Sequence, residues 1–250
     1  MQHHTRFQFG RVLTAAALLA TLLTLKFAKA ESTISCPSGQ YDMLDWMTLD
    51  SNLRATNHLE GTSNPLYTIM QSGKFYWIKG VLGYPWDIQL YDNNYIYLWI
   101  TELSWTVPQS YKKFTNNTNL PLVSRCANAG FPGTVVKSTN TSYDLHTNCS
   151  QSCSVTLGLQ NSINEVWGPY YLSLGGSLPS NMKTLVISYR YNCNASFANC
   201  IDKEEYYLNQ QYGLVQWAHY VLANGVYAQM QRTVFNKLMP GTVAPYFPCF

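Results

Sequence analysis

The chain has 250 residues, of which 46% are hydrophobic and only 12% charged, and its formal net charge is +3. Charged residues usually make up about a quarter of a soluble domain, so Ser, Thr, Asn, Gln and Tyr must supply most of this surface, which suits neutral, hydroxyl-rich partners better than ionic ones. The positive excess sits in the first thirty residues: 16 basic residues less Arg6, Arg11, Lys26 and Lys29 leave 12 against 13 acidic ones, so no basic stripe remains and nucleic acid or an anionic membrane is not an expected partner.

Residues 1–30 read as a signal peptide. A polar segment with Arg6 and Arg11 precedes the apolar run Val12 to Leu25, and Ala28-Lys29-Ala30 matches an A-x-A cleavage site. The run is shorter than the roughly 20 residues that a membrane span needs. No second long apolar run follows, so no membrane insertion is expected after cleavage. The mature chain, residues 31–250, is expected to be a single secreted domain.

All seven cysteines follow the leader: Cys36, Cys126, Cys149, Cys153, Cys193, Cys200 and Cys249. Export makes disulfides the expected state. Cys193 and Cys200 bracket a short loop and form the best candidate bridge, and Cys126 is expected to pair with Cys149 or Cys153. Cys36 and Cys249 sit at the two ends, where they would clasp the termini or link subunits. Seven is odd, so one thiol is left over or pairs between chains, which admits an oligomer. His146, Cys149 and Cys153 have spacings that zinc uses, but no second ligand cluster completes a site, and neither metal nor cofactor is expected. Sequons occur at Asn116, Asn140, Asn148 and Asn194.

In chain order, Tyr41 to Leu53 is ambiguous and holds the one candidate short helix. PLYTIM and KFYWIK, around Ser72-Gly73, read as strands. The next stretch, YPWDIQLYDNNYIYLWITE, alternates strictly. Trp86, Ile88, Leu90, Ile96, Leu98 and Ile100 mark one face; Asp87, Gln89, Tyr91, Tyr95, Tyr97 and Trp99 mark the other. A three-residue loop, Asp92 to Asn94, pairs Tyr91 with Tyr95 and Leu90 with Ile96, and keeps every cross-strand pair alike in character. Asn94 then takes the left-handed position. Lys112 to Ser154 is rich in Asn, Thr, Ser, Gly and Pro and reads as long loops pinned by disulfides.

SVTLGL, YYLSL and KTLVISYRY are further strands. Asp202 to Glu205 resembles a helix-capping box, but the β-branched and aromatic residues that follow favour strands. Asn224-Gly225 is a two-residue turn signal that sets Val221 against Ala228, His219 against Met230 and Trp217 against Arg232. Many short strands without βα alternation point to an all-β fold, an antiparallel sandwich of jelly-roll type.

Aromatic rings flanked by Asp, Asn and Gln suit sugars, which have an apolar C–H face and a rim of hydroxyls. Asp87, Gln89, Tyr91, Tyr95, Tyr97 and Trp99 are therefore the expected ligand-binding set, with Tyr220, Tyr227, Gln229 and Gln231 as a lesser one. The same row equally suits a tyrosine-rich sheet face covered by its own chain. G-x-S-x-G, H-E-x-x-H and phosphate-loop motifs do not occur. If the chain is an enzyme, paired carboxylates remain as its means, with Asp87, Glu102 and Glu165 as catalytic candidates and Glu204-Glu205 as further carboxylates to weigh. In composition and strand pattern the chain resembles exported jelly-roll carbohydrate-binding proteins, without a motif matched residue by residue. The sequence thus supports three readings: an exported binder of neutral polysaccharide, a glycan hydrolase or lyase, and a cell-surface assembly protein.

Overall fold

The computed structural model describes residues 34–47, 57–59, 65–71, 74–79, 85–104, 110–115, 120–131, 133–146 and 155–240. The leader and Cys149, Cys153 and Cys249 lie outside the described residues, as do the sequons at Asn116 and Asn148.

The chain runs β1 (Tyr41–Asp42), α1 (Leu44–Met47), β2 (Asn57–Leu59), β3 (Leu66–Gln71), β4 (Lys74–Lys79), β5 (Pro85–Tyr91), β6 (Tyr95–Ser104), β7 (Ser110–Thr115) and β8 (Leu120–Ser124). It continues with β9 (Cys126–Ala127), β10 (Val135–His146), β11 (Val155–Leu172), β12 (Met182–Cys193), β13 (Cys200–Asn209), β14 (Gly213–Ala223), β15 (Val226–Val234) and β16 (Leu238–Pro240). These strands pair antiparallel throughout. One 14-stranded sheet runs from β15 to β16, with β8 paired to β6 beside the main path. Its two ends belong to adjacent stretches of chain: only residues 235–237 separate β15, at one edge, from β16, at the other. The sheet therefore curls into a half-barrel.

The concave side holds the main core. Phe75, Trp77 and Trp86 of the first strands meet Leu185, Ile187, Tyr206, Leu214 and Val215 of the later ones, and α1 adds Leu44, Trp46 and Met47. The Trp77 and Tyr206 rings meet at a tilt across the interior with centroids 5.4 Å apart, and the Trp77 indole N–H donates to the Met47 carbonyl at 3.1 Å. The convex side of β3–β7 carries a second cluster of Tyr67, Ile69, Tyr76, Ile78, Ile88, Ile100 and Tyr111. Trp86, Asp87, Ile88 and Gln89 are consequently all buried, Ile88 in the convex cluster and the other three on the concave side, where a bulge at Trp86 breaks the alternation. A strand buried on both faces shows no polar side in its environment.

Several sequence expectations change here. Asp92 Oδ1 accepts from the backbone N–H groups of Asn94 and Tyr95, at 2.7 and 2.8 Å, and so caps a four-residue turn. Tyr91 then pairs with Ile96, not Tyr95, and Asn94 is not among the residues with positive φ. Next, residues 112–154 are not chiefly loops: β10 spans twelve residues between β7 and β11. Its concave-facing Asn140 and Ser142 are polar yet buried, which hid the alternation. Last, Cys126 pairs with Cys36, not with Cys149 or Cys153. The β1–β9 ladder sets Asp42 opposite Cys126, which brings the N-terminal Cys36 within bridging distance, and Arg125 adds an ion pair to Asp42 beside it. Cys36 is thereby not available to clasp the C-terminus. Cys193 and Cys200 form the second bridge and face each other across β12 and β13.

The C-terminal hairpin turns at Asn224 and Gly225, both with positive φ (52° and 77°), the geometry of a two-residue primed turn. Val221 pairs with Ala228, and Tyr220 with Gln229. A bulge at Met230 then slips the register, so Trp217 opposes Thr233 and His219 opposes Gln231. Arg232 instead donates to the Gln216 side chain, at 3.0 and 2.7 Å.

Candidate functional site

The four-residue turn divides the expected ligand-binding set. Asp87, Gln89 and Tyr91 face the concave core in line with Trp77 and Phe75. Tyr95, Tyr97 and Trp99 face the convex side, because a one-residue change in loop length turns one strand over relative to its neighbour. There Tyr97 donates to Asp92 at 2.8 Å, Tyr95 is 36% exposed, and Trp99 lies beneath the ammonium groups of Lys74 and Lys113. A bulge at Trp99 restores the pairing of Asp87 with Thr101.

The chemistry concentrates on the concave side of β12–β14. Alternation along Cys200–Asn209 directs Asp202, Glu204 and Tyr206 inward and Lys203 and Glu205 outward. Register then places Glu204 between Tyr189 of β12 and His219 of β14, and Tyr206 beside Trp217. Both Glu204 oxygens accept aromatic donors: the Tyr191 hydroxyl at 3.0 Å, the Tyr206 hydroxyl at 2.5 Å and the Trp217 indole N–H at 3.0 Å. Tyr191 stacks on Tyr189 at 4.7 Å. Trp217 lies parallel to the His219 ring at 6.3 Å and meets Trp86 edge-on at 5.2 Å. His219 Nε2 stands 3.2 Å from Asp202 Oδ1, and Asn192 donates to the other Asp202 oxygen at 2.7 Å. Glu204, Tyr191, Trp217 and His219 are only half-buried, so this end of the trough meets solvent.

Behind Glu204 lies Asp87, 1% exposed. Burial pushes its carboxyl up to about 8, with the charge of Glu204 acting in the same direction. Thr101, Tyr206 and Lys79 stand near enough to favour the ionised form slightly, but neither carboxyl oxygen has a hydrogen bond of ordinary geometry. Gln89, two residues on and 0% exposed, has neither amide atom paired. Buried polar groups are nearly always paired, so two such residues on one strand face set this spot apart. A row across four strands sets Trp77, Asp87, Thr101 and Lys112 side by side. Lys112 donates to Gln160 at 3.0 Å, and Gln160 to the Tyr189 hydroxyl at 2.6 Å. Burial lowers the Lys112 ammonium, opposed by the charges of Glu204 and Asp202.

The other two catalytic candidates stand apart. Glu102 opposes Tyr111 on the convex side, and burial pushes its carboxyl up to about 8. Glu165 pairs with Arg190 at 3.6 Å on the outer surface, where Lys203 binds Glu205 at 2.8 Å beneath Tyr220 and Tyr227. Of the lesser set, Tyr220, Tyr227 and Gln229 share that outer face, while Gln231 sits opposite His219 on the inner one. The sequence does not single out Tyr191 or Tyr206, marks Glu204 only beside Glu205 among the carboxylates to weigh, and marks Trp217 only as a partner of Arg232. The shared parity of Asp202, Glu204 and Tyr206 was the available signal once this segment is taken as a strand. Among the described residues no group of His, Cys, Asp and Glu is arranged to hold a metal ion, and no helix is long and apolar enough to cross a membrane.

No protein-family model, curated protein or solved structure matches the chain.

Proposed function

We propose that the protein is secreted and binds carbohydrate in the concave trough, at the half-buried end lined by Tyr191, Glu204, Trp217 and His219. One observation carries this reading: a carboxylate oriented by three aromatic donors, beside flat rings that solvent reaches. Sugar rings stack on such faces through their C–H groups, and a carboxylate with fixed oxygens accepts from their hydroxyls. The rings are already locked against one another, so little ordering entropy is lost on binding. The two disulfides fit export, since such bridges persist in oxidising, extracytoplasmic compartments. In this reading the half-barrel serves as one concave face of a sandwich-like binding domain.

The test uses the oxidised protein against a panel of soluble glycans, followed by tryptophan fluorescence. Trp217→Ala is expected to weaken binding at least tenfold, about 1.4 kcal/mol, while Trp99→Ala on the convex side retains it. Loss with Trp99→Ala and retention with Trp217→Ala would move the site to the other face; no binding across the panel would end the reading.

A glycan-hydrolase reading has its own support in the carboxyl pair Asp87 and Glu204, since unlike environments separate acid from base. Product release in the same samples, lost in Glu204→Gln, would establish it.

A further inference from the structure

We propose that this trough selects glycans whose sugar units carry a free, protonated amine, the ammonium lying against Glu204 and the rings of Tyr191 and Trp217 with Asp87 as a second carboxyl group behind it. The proposal rests on the carbohydrate reading and narrows it from neutral polysaccharide to amine-bearing chains.

The first ground is the wall itself. Trp77, Trp86, Tyr206 and Trp217 form a continuous chain of ring contacts, at 5.4 Å between Trp77 and Tyr206, 6.5 Å between Trp86 and Tyr206 and 5.2 Å between Trp86 and Trp217. Aromatic faces attract cations, most strongly where water is excluded.

The second ground is charge. Asp87, Asp202 and Glu204 act on one another's surroundings here, against the ammonium groups of Lys79 and Lys112. Lys79 is drawn over the Trp86 ring at 5.5 Å, and Lys112 is turned to Gln160. His219 is held by Asp202, and the phenols of Tyr189 and Tyr206 are raised by burial and by these carboxylates. With Asp87 protonated, the two remaining acids match the two lysines in number, but the side-chain donors to Glu204 among the described residues are the neutral Tyr191, Tyr206 and Trp217. A neutral sugar leaves that carboxylate without a cationic partner, and an ammonium supplies one.

The third ground is Asp87. Both of its oxygens are buried without a hydrogen-bond partner of ordinary geometry, and the Gln89 amide beside it is likewise unpaired. Held neutral by burial and by Glu204, Asp87 ionises when a cation arrives next to it. The balance is simple: the amine keeps its proton, the Asp87 carboxyl becomes carboxylate, and one proton passes to the buffer.

Calorimetry at pH 5.5, where the sugar amine carries its proton and Asp87 still holds its own, in two buffers of different ionisation enthalpy tests this with the oxidised full chain. The probes are a β-1,4-linked glucosamine oligomer and its fully N-acetylated counterpart. The amine oligomer is expected to bind at least tenfold more tightly and to release close to one proton per site. Asp87→Asn should abolish the release and most of the preference, with the fold checked by near-ultraviolet circular dichroism. Glu204→Gln, at a half-exposed position, gives a second test and should also remove the preference. Equal affinities, or binding of the amine oligomer without proton release, would overturn the proposal. If both oligomers bind equally in a Trp217-dependent way, the carbohydrate reading stands alone; if neither binds, both readings fall.

Discussion

Replacing Asp87 with Asn should change how stability depends on pH. The Asp87 carboxyl releases its proton near 3.8 in an unfolded chain but holds it to about 8 in the folded one. Between these values the native state binds one more proton than the unfolded state, so stability is highest at low pH and falls as pH rises. The slope for one such group is about 1.4 kcal/mol per pH unit. Glu102 shows the same raised value of about 8 against an ordinary 4.5, so the parent protein should lose stability more steeply than one such group alone explains between pH 5 and 7.5, where both groups contribute. Asparagine has the shape of the neutral acid and cannot ionise. In Asp87→Asn the slope should therefore fall to about 1.4 kcal/mol per unit or less, because the Asp87 charge is also one of the causes raising Glu102. The variant and parent should be nearly equal at pH 4.5 and the variant clearly more stable at pH 8. Urea denaturation followed by tryptophan fluorescence at four pH values measures this, with the m-value checked for constancy. Parallel stability curves for the two proteins would refute the account of Asp87 as a buried, neutral acid.

Further outcomes follow from the fold. Removing the Cys36–Cys126 bridge by paired serine substitution should cost about 4–5 kcal/mol, against about 2 for Cys193–Cys200, since closing a span of 90 residues restricts the unfolded chain more than closing one of 7; equal losses in urea denaturation would contradict this. Gly225→Val should destabilise the C-terminal hairpin by about 1–2 kcal/mol, because φ of 77° is unfavourable for a β-branched residue, whereas Ala223→Ser at the exposed position beside it should be close to neutral. Gly133→Ala should be among the most damaging single substitutions, since a Cβ there would lie 1.7 Å from the Val166 carbonyl oxygen, a clash that neither backbone can relieve by a rotamer change; an unchanged melting temperature would show that the β11 contact yields.

The all-β character is legible in local patterns of the chain. Period-two patterns in KFYWIK and KTLVISYRY became β4 and β12, Asn224-Gly225 became a primed turn, and Cys193 and Cys200 became a bridge. These features are local: a turn needs particular φ values, and alternation needs only that one face be covered. Only the tertiary structure decided which residues share a face. An Asp92 carboxylate that adds one residue to a turn, and bulges at Trp99 and Met230, re-aim whole strands; each is a one-residue event that any local pattern tolerates. They moved Trp99 away from Asp87 and Trp217 away from Arg232. The site followed from the same cause. Glu204 and Asp87 are 117 positions apart, on strands whose inward faces share one interior only because the sheet curls, and it is burial in that interior, not residue type, that makes Asp87 chemically unusual.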